Sequence, residues 1–306
     1  LAALAAATLS APSLAAETVK IGGAFSITGN AAAYGAQQKH GVQAAVEDVN
    51  KSGKLKGITL ELVLEDDGTS KEQGIAVYQR FINKDKVSAI VGPTLSTTAT
   101  AADPIAQMGR TPVVAVSNTA PKGITDIGDY IWRVSLTEAQ VIPSALAIAK
   151  AKNPEFLMVS ALVEQAAAIV SQARQLGWNV PIMGGNGFNS PKLIANAGPA
   201  ADGVLVGTAW NKASTDPVNV AFIADQKARG NDPDQFCAQA YTGVLTIAEA
   251  IAQSGFKGGR EDVKNGFAKV KDLPTPLGKF SFLPNRDGNH AAAIQIVKNG
   301  KFEILQ

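Results

Sequence analysis

Apolar residues along this chain fall into short runs of alternating period. Thr18 to Phe25 is β-branched and alternating, the pattern of a strand. From Gln37 to Asn50 the residues Val42, Ala45, Val46 and Val49 recur at helical spacing, and the polar Lys51-Ser52-Gly53-Lys54 stops that helix. Ile58 to Glu65 is a second strand with Ile58, Leu60, Leu62 and Leu64 on one face. Lys71 to Asn83 predicts a helix, Val87 to Val91 a buried strand, Thr97 to Gly109 a helix and Pro112 to Val116 a strand. Strict alternation of strand and helix predicts α/β architecture, a parallel sheet with helices on both faces. Beyond Trp132-Arg133, helices are predicted at Glu138 to Lys152, Glu164 to Leu176, Val218 to Arg229, Ala238 to Gln253 and Glu261 to Val270. Strands are predicted at Glu155 to Ala161, Pro181 to Gly185, Val204 to Trp210, Gly278 to Pro284 and Ala293 to Val297.

In parallel sheets, ligands bind beyond the carboxyl ends of the strands. The residues there are Ser26 to Gly29, Asp66-Asp67, Thr94 to Thr97 and Ser117-Asn118-Thr119, dominated by hydroxyls and small side chains. Hydroxyls beside the N–H groups of a helix start suit an anion such as a carboxylate. Helix capping by Ser and Thr is the competing explanation for each residue singly. Asp66-Asp67 fits a loop cap better than a paired-carboxylate site.

Leu1 to Ala16 is Ala-rich, uncharged and ends in small residues. It reads as the apolar region and cleavage site of a secretory signal peptide. It is shorter than the about 20 apolar residues that span a bilayer. The 306 residues are 46% hydrophobic and 18% charged, with a net charge of +2, so the chain is globular and nucleic acid is not an implied partner. The single Cys237 reads as a small core residue, and no Cys lies near Ala16 to take a lipid. The expected location is the periplasm, without a lipid anchor. The only histidines, His40 and His290, make no metal site or general base, and no cofactor is expected. No nucleophile elbow or phosphate loop occurs. A dinucleotide-dependent oxidoreductase is disfavoured, because Gly22-Gly23-Ala24-Phe25-Ser26-Ile27-Thr28-Gly29 lacks the Gly-x-Gly-x-x-Gly spacing.

Several of these residues together carry a resemblance. They are Ser26 with Tyr34-Gly35, the turn Gly92-Pro93-Thr94-Leu95-Ser96, Ser117-Asn118-Thr119-Ala120-Pro121, Gly184-Gly185-Asn186-Gly187, and Phe236 with Tyr241. From about Val19 onward the chain resembles the periplasmic branched-chain amino-acid binding proteins, the Leu/Ile/Val-type receptors of ABC importers. The resemblance implies two Rossmann-like lobes joined by hinge strands, the type I periplasmic binding fold. It implies a binding protein and not an enzyme, a monomer, with a membrane ABC permease as partner. The implied lobes are 17–132 with 212–278, and 133–211 with 279–306, after the leader 1–16.

The resemblance also implies site residues. Ser96, Ser117 and Thr119 would hold a ligand carboxylate, Tyr34 would lie beside the ligand and Phe236 would form an apolar wall. Ser26, Thr97 and Asn118 join them as neighbours in the same loops. Asn186 stands where amino-acid-binding members carry a Glu that pairs with the α-ammonium, and Asn cannot balance that charge. The ligand is then a hydrophobic amino acid served by another acid, or an aromatic or aliphatic carboxylic acid without an amine. A degenerate, non-binding paralogue is the remaining alternative. The second lobe is also short against the family pattern. A strand–helix–strand unit of roughly fifty to sixty residues is missing where Lys152 passes into the Glu155 strand.

Overall fold

The computed structural model describes residues 17–137, 140 and 156–305. The predicted leader 1–16, most of the predicted helix Glu138 to Lys152 and the start of the following strand lie outside the described residues. The first sheet contains β1 (Glu17–Phe25), β2 (Ile58–Asp66), β3 (Ala89–Val91), β4 (Val113–Ala115) and β5 (Ile131–Arg133). Its order is β2-β1-β3-β4-β5, and every pairing is parallel. The connecting helices are α1 (Ala32–Ser52), α2 (Lys71–Arg80) and α3 (Ser96–Met108). Chain direction across the sheet reverses between β1 and β3, which opens a crevice at their carboxyl ends.

The second sheet runs β13-β12-β8-β7-β6. Its members are β6 (Leu157–Val159), β7 (Ile182–Gly184), β8 (Leu205–Thr208), β12 (Ala293–Lys298) and β13 (Lys301–Leu305). β6, β7 and β8 are parallel, whereas β12 is antiparallel to both β8 and β13. Helices α4 (Val163–Gln175) and α5 (Pro191–Ala197) connect its parallel strands. The described part of β6 is shorter than the sequence predicted, and among the described residues its one partner is β7. The closing strand β13 and the short α5 were not anticipated. The type I periplasmic binding architecture expected from the sequence is the one observed.

Three more helices follow: α6 (Pro217–Ala228), α7 (Gln235–Gln253) and α8 (Arg260–Phe267). α7 lies along α1, and Val42, Ala45, Val46 and Val49 share a core with Val244, Ile247, Ala248 and Ile251. The helices approach so closely that a Cβ on Gly41 would sit 2.3 Å from the Cys237 carbonyl oxygen. Cys237 itself is fully buried, and burial pushes its thiol pKa far up. A small sheet of β9 (Leu273–Thr275), β10 (Gly278–Phe282) and β11 (Gly288–Asn289) lies against β5. There Phe282 meets Trp132 edge-on at 4.9 Å.

The chain leaves the first sheet through Arg133, whose side chain is 1% exposed. Its Nε and Nη2 donate to Asp287 Oδ1 at 2.8 and 2.6 Å, and Nη1 donates to the carbonyls of Asn118 and Ala120. A guanidinium can be buried so deeply only because each edge finds an acceptor. This ties the loop after β4 to the strands that cross toward the second sheet.

Candidate functional site

A cleft of about 410 Å³ opens between the carboxyl ends of the two sheets, the size range of small-molecule sites. The first sheet contributes Tyr34, Thr94, Leu95, Ser96, Thr97, Ser117 and Thr119, and α7 contributes Phe236. The second contributes Ser160, Ala161 and Leu162 after β6, and Gly185, Asn186 and Gly187 after β7. No lining side chain among the described residues is charged.

One end of the cleft exposes the N-terminus of a helix. α3 begins at Ser96 after Leu95, without a side-chain cap and without an acidic residue in its first turn. The N–H groups of Ser96 and Thr97 have no partner among the described residues, as the first turn of a helix leaves them. With the positive end of the helix dipole they favour a carboxylate. Across from them is Thr119, whose hydroxyl has no partner among the described residues.

The other end joins the sheets. Tyr34 is 2% exposed, and its ring lies 4.4 Å from that of Phe236. Its hydroxyl donates to the Gly187 carbonyl and accepts from the Val163 N–H, both at 2.8 Å. Burial raises the phenol pKa, the Val163 N–H partly opposes that, and the hydroxyl stays protonated. Gly187 must be small here, since a Cβ would stand 2.1 Å from the Ala161 carbonyl oxygen. Asn186 also crosses the cleft. Its Nδ2 donates to the Ser117 carbonyl at 3.4 Å, and its Oδ1 accepts from Gln235 Nε2.

Seven of the nine residues singled out from the sequence therefore line one cleft: Tyr34, Ser96, Thr97, Ser117, Thr119, Asn186 and Phe236. Two do not. Ser26 is fully buried, donating from its hydroxyl to Asp67 at 2.7 Å and from its N–H to Thr94 Oγ1 at 2.9 Å. Asn118 is fully buried, with its carbonyl held by Arg133 and Ser135. The Ser117 hydroxyl lies within reach of the cleft yet is occupied, donating to the Thr94 carbonyl at 2.6 Å and accepting from Gln38 at 2.7 Å.

Asp66 and Asp67 form a loop clamp. Burial would raise Asp66, but bonds from Thr28, Gly68 and Ile27 outweigh it and hold its pKa below the ordinary carboxylate value. Gln235 and the Ser160-Ala161 segment were not foreseen as site residues, whereas Leu162, which the resemblance puts at a wall position usually held by an aromatic, does line the cleft. Among the described residues no cluster of His, Cys, Asp and Glu could hold a metal ion, and no helix is long and apolar enough to cross a membrane.

Comparison with known proteins agrees with this architecture. The pattern of the periplasmic binding protein family matches residues 18–148 and 130–301. A leucine-, isoleucine-, valine-, threonine- and alanine-binding protein of Pseudomonas aeruginosa is 27% identical, over 92% of this chain and 90% of the relative. That alignment runs over 340 positions, whereas 92% of 306 residues is about 282, so roughly 58 positions of the relative face a gap. The crystal structure of a leucine-binding protein from Thermotoga maritima superposes with a TM-score of 0.83 at 25% identity, covering 94% of this chain and 98% of that one. A solute-binding protein of an ABC transporter from R. palustris, in complex with 4-hydroxybenzoate, shares the fold. It has a TM-score of 0.81 at 22% identity, over 95% of this chain and 96% of that one. The chain belongs to the periplasmic binding protein family, and is an extracytoplasmic solute-binding protein of the ABC-importer type, not an enzyme.

Proposed function

We propose that this protein captures a small apolar carboxylate lacking an α-ammonium and delivers it, in a closed form, to a membrane ABC permease. The observation that carries the proposal is the polarity of the cleft. One end offers free N–H groups and the Thr119 hydroxyl to an anion, and no lining side chain among the described residues is anionic. A buried ammonium without an anionic partner costs several kcal/mol. The apolar wall of Tyr34, Leu95, Leu162 and Phe236 suits an aliphatic or aromatic body.

In this proposal residues 17–132 and 212–278 form one lobe and 133–211 and 279–306 the other. The two five-stranded sheets support that division, with the small β9–β11 sheet lying across its last boundary. Ligand stabilises closure only through its extra contacts in the closed form. The protein acts as a monomer.

A hydrophobic amino acid is the second reading, favoured by the names of the relatives at 27% and 25% identity. Titration calorimetry with leucine and with 4-methylpentanoate, the same skeleton without the amine, separates the two. The proposal expects 4-methylpentanoate to bind about tenfold or more tightly than leucine. Equal or tighter binding of leucine overturns it.

A further inference from the structure

Asn186 could present either face of its carboxamide to a ligand, and the two faces select opposite chemistry. The orientation is fixed by its neighbours Gln235 and Ser117. Gln235, 2% exposed at the start of α7, sits between Asn186 and β8. The backbone N–H of Ala209 points at Gln235 Oε1 from 2.5 Å, and Asn189 Nδ2 donates to the same oxygen at 2.7 Å. A backbone N–H cannot become an acceptor, so that end of Gln235 must be the oxygen. Asn189 is set in turn, its Oδ1 accepting from Gln295 Nε2 at 2.8 Å. The far end of Gln235 is therefore its NH2 group, and the Asn186 atom facing it must be Oδ1. On the other side Asn186 Nδ2 faces the Ser117 carbonyl, which can only accept. The row of amides is pinned at both ends by backbone groups of unchangeable polarity.

We propose that Gln235 is a positioning residue that locks Asn186 with its NH2 group toward the cleft, so that the ligand presents an acceptor oxygen there and not an ammonium. One Nδ2 hydrogen goes toward Ser117, and the other is left for the ligand. The chemical class is a carboxylate bearing a carbonyl or hydroxyl oxygen next to it, of which a 2-oxo acid is the simplest case. This rests on the cleft being the ligand site, and it adds what stands opposite Asn186.

Neutron diffraction from crystals of the deuterium-exchanged protein, without ligand, locates the amide deuterons directly. Deuterons on the Asn186 atom facing Ser117 and the cleft support the lock, and an oxygen there overturns it. The functional arm uses leucine and 4-methyl-2-oxopentanoate, which share a skeleton and differ in a donor against an acceptor. The parent should favour the oxo acid about tenfold or more. Ionised, Gln235→Glu can only accept, so it competes with the Ser117 carbonyl for the Asn186 NH2 group, and the preference for the oxo acid should shrink in a variant that still melts cooperatively. A folded Gln235→Glu protein with the parent's ratio overturns the positioning role. The wider proposal of an amine-free ligand would stand or fall separately, on leucine against 4-methylpentanoate.

Discussion

The Tyr34 hydroxyl, on the first turn of α1, donates to the Gly187 carbonyl beyond β7 at 2.8 Å. It also accepts from the Val163 N–H that opens α4, so one phenol joins two loops of the second sheet. Removing only that oxygen isolates its contribution to closure. Tyr34→Phe keeps the ring on Phe236 but leaves a buried carbonyl and N–H without their partner. Two neutral hydrogen bonds contribute about 1–3 kcal/mol together, so affinity for the ligand should fall about tenfold. Calorimetry reads the affinity, and small-angle scattering reads whether the ligand still compacts the protein. An unchanged affinity and an unchanged compaction would show that this contact does not favour the closed form.

Ser117 and Thr119 are two residues apart and should respond differently to loss of their hydroxyls. The Ser117 hydroxyl is held inside by Thr94 and Gln38, and that of Thr119 has no partner among the described residues. Ser117→Ala should lower stability by about 1–3 kcal/mol, because it strands buried partners. Thr119→Val keeps the shape, should leave the melting temperature nearly unchanged, and should weaken carboxylate binding about tenfold. Urea unfolding and calorimetry on both variants check the contrast. The reverse pattern would move the anion away from Thr119.

The regular alternation of period made β1 to β4 of the first sheet legible, with a clear helix after each of the first three, whereas the three-residue β5 follows a loop and not a helix and was not anticipated. The alternation also located the cleft, because loops after parallel strands must gather at one end. It could not say which way each side chain turns. Ser26 follows β1 just as Ser117 follows β4, yet Ser26 turns inward because the buried Asp67 lies there as an acceptor. Asn118 is drawn in by the Arg133 guanidinium, which takes its backbone carbonyl. Gln235 gave no signal, since a Gln at the start of a helix is ordinary until Ala209 and Asn186 are seen on either side of it. The strand β13 was missed because Lys301 to Leu305 alternates weakly and carries two charges.

Asp234 makes a pH prediction. It caps α7, accepting from the N–H groups of Phe236 and Cys237, and burial pushes its carboxyl up to about 7 against those bonds. A carboxyl raised above its unfolded value of about 3.9 adds stability that is full below that value. The stability is lost as pH rises through about 7. Asp234→Asn still caps the helix but cannot ionise. Relative to the parent it should gain stability steadily between about pH 4 and pH 8. His290 acts in the opposite sense, because burial lowers it to about 4, and it costs stability as pH falls below about 6.5. The difference between parent and Asp234→Asn in urea unfolding cancels that background. Parallel pH profiles would mean that Asp234 ionises normally.

The second sheet ends, among the described residues, at β6. Among the described residues β6 pairs with β7 alone, and its Met158 is 40% exposed. The two family matches overlap at 130–148, shortly before β6, and the Pseudomonas aeruginosa alignment leaves roughly 58 positions unmatched. We read these together as the loss of a strand–helix–strand unit that would stand beside β6. An open edge strand exchanges its amide hydrogens readily and invites pairing with other chains. A sheet missing one ligand loop also offers fewer contacts in the closed form, and each loss of about 1.4 kcal/mol lowers affinity tenfold. Binding should therefore be about a hundredfold weaker than in a version with a family-like unit inserted after Ala151. The inserted version should also protect the β6 amides from exchange and raise the melting temperature. Tight binding by the present chain, with clear compaction in scattering and slow exchange at Leu157 to Val159, would show instead that the second lobe is complete as it stands.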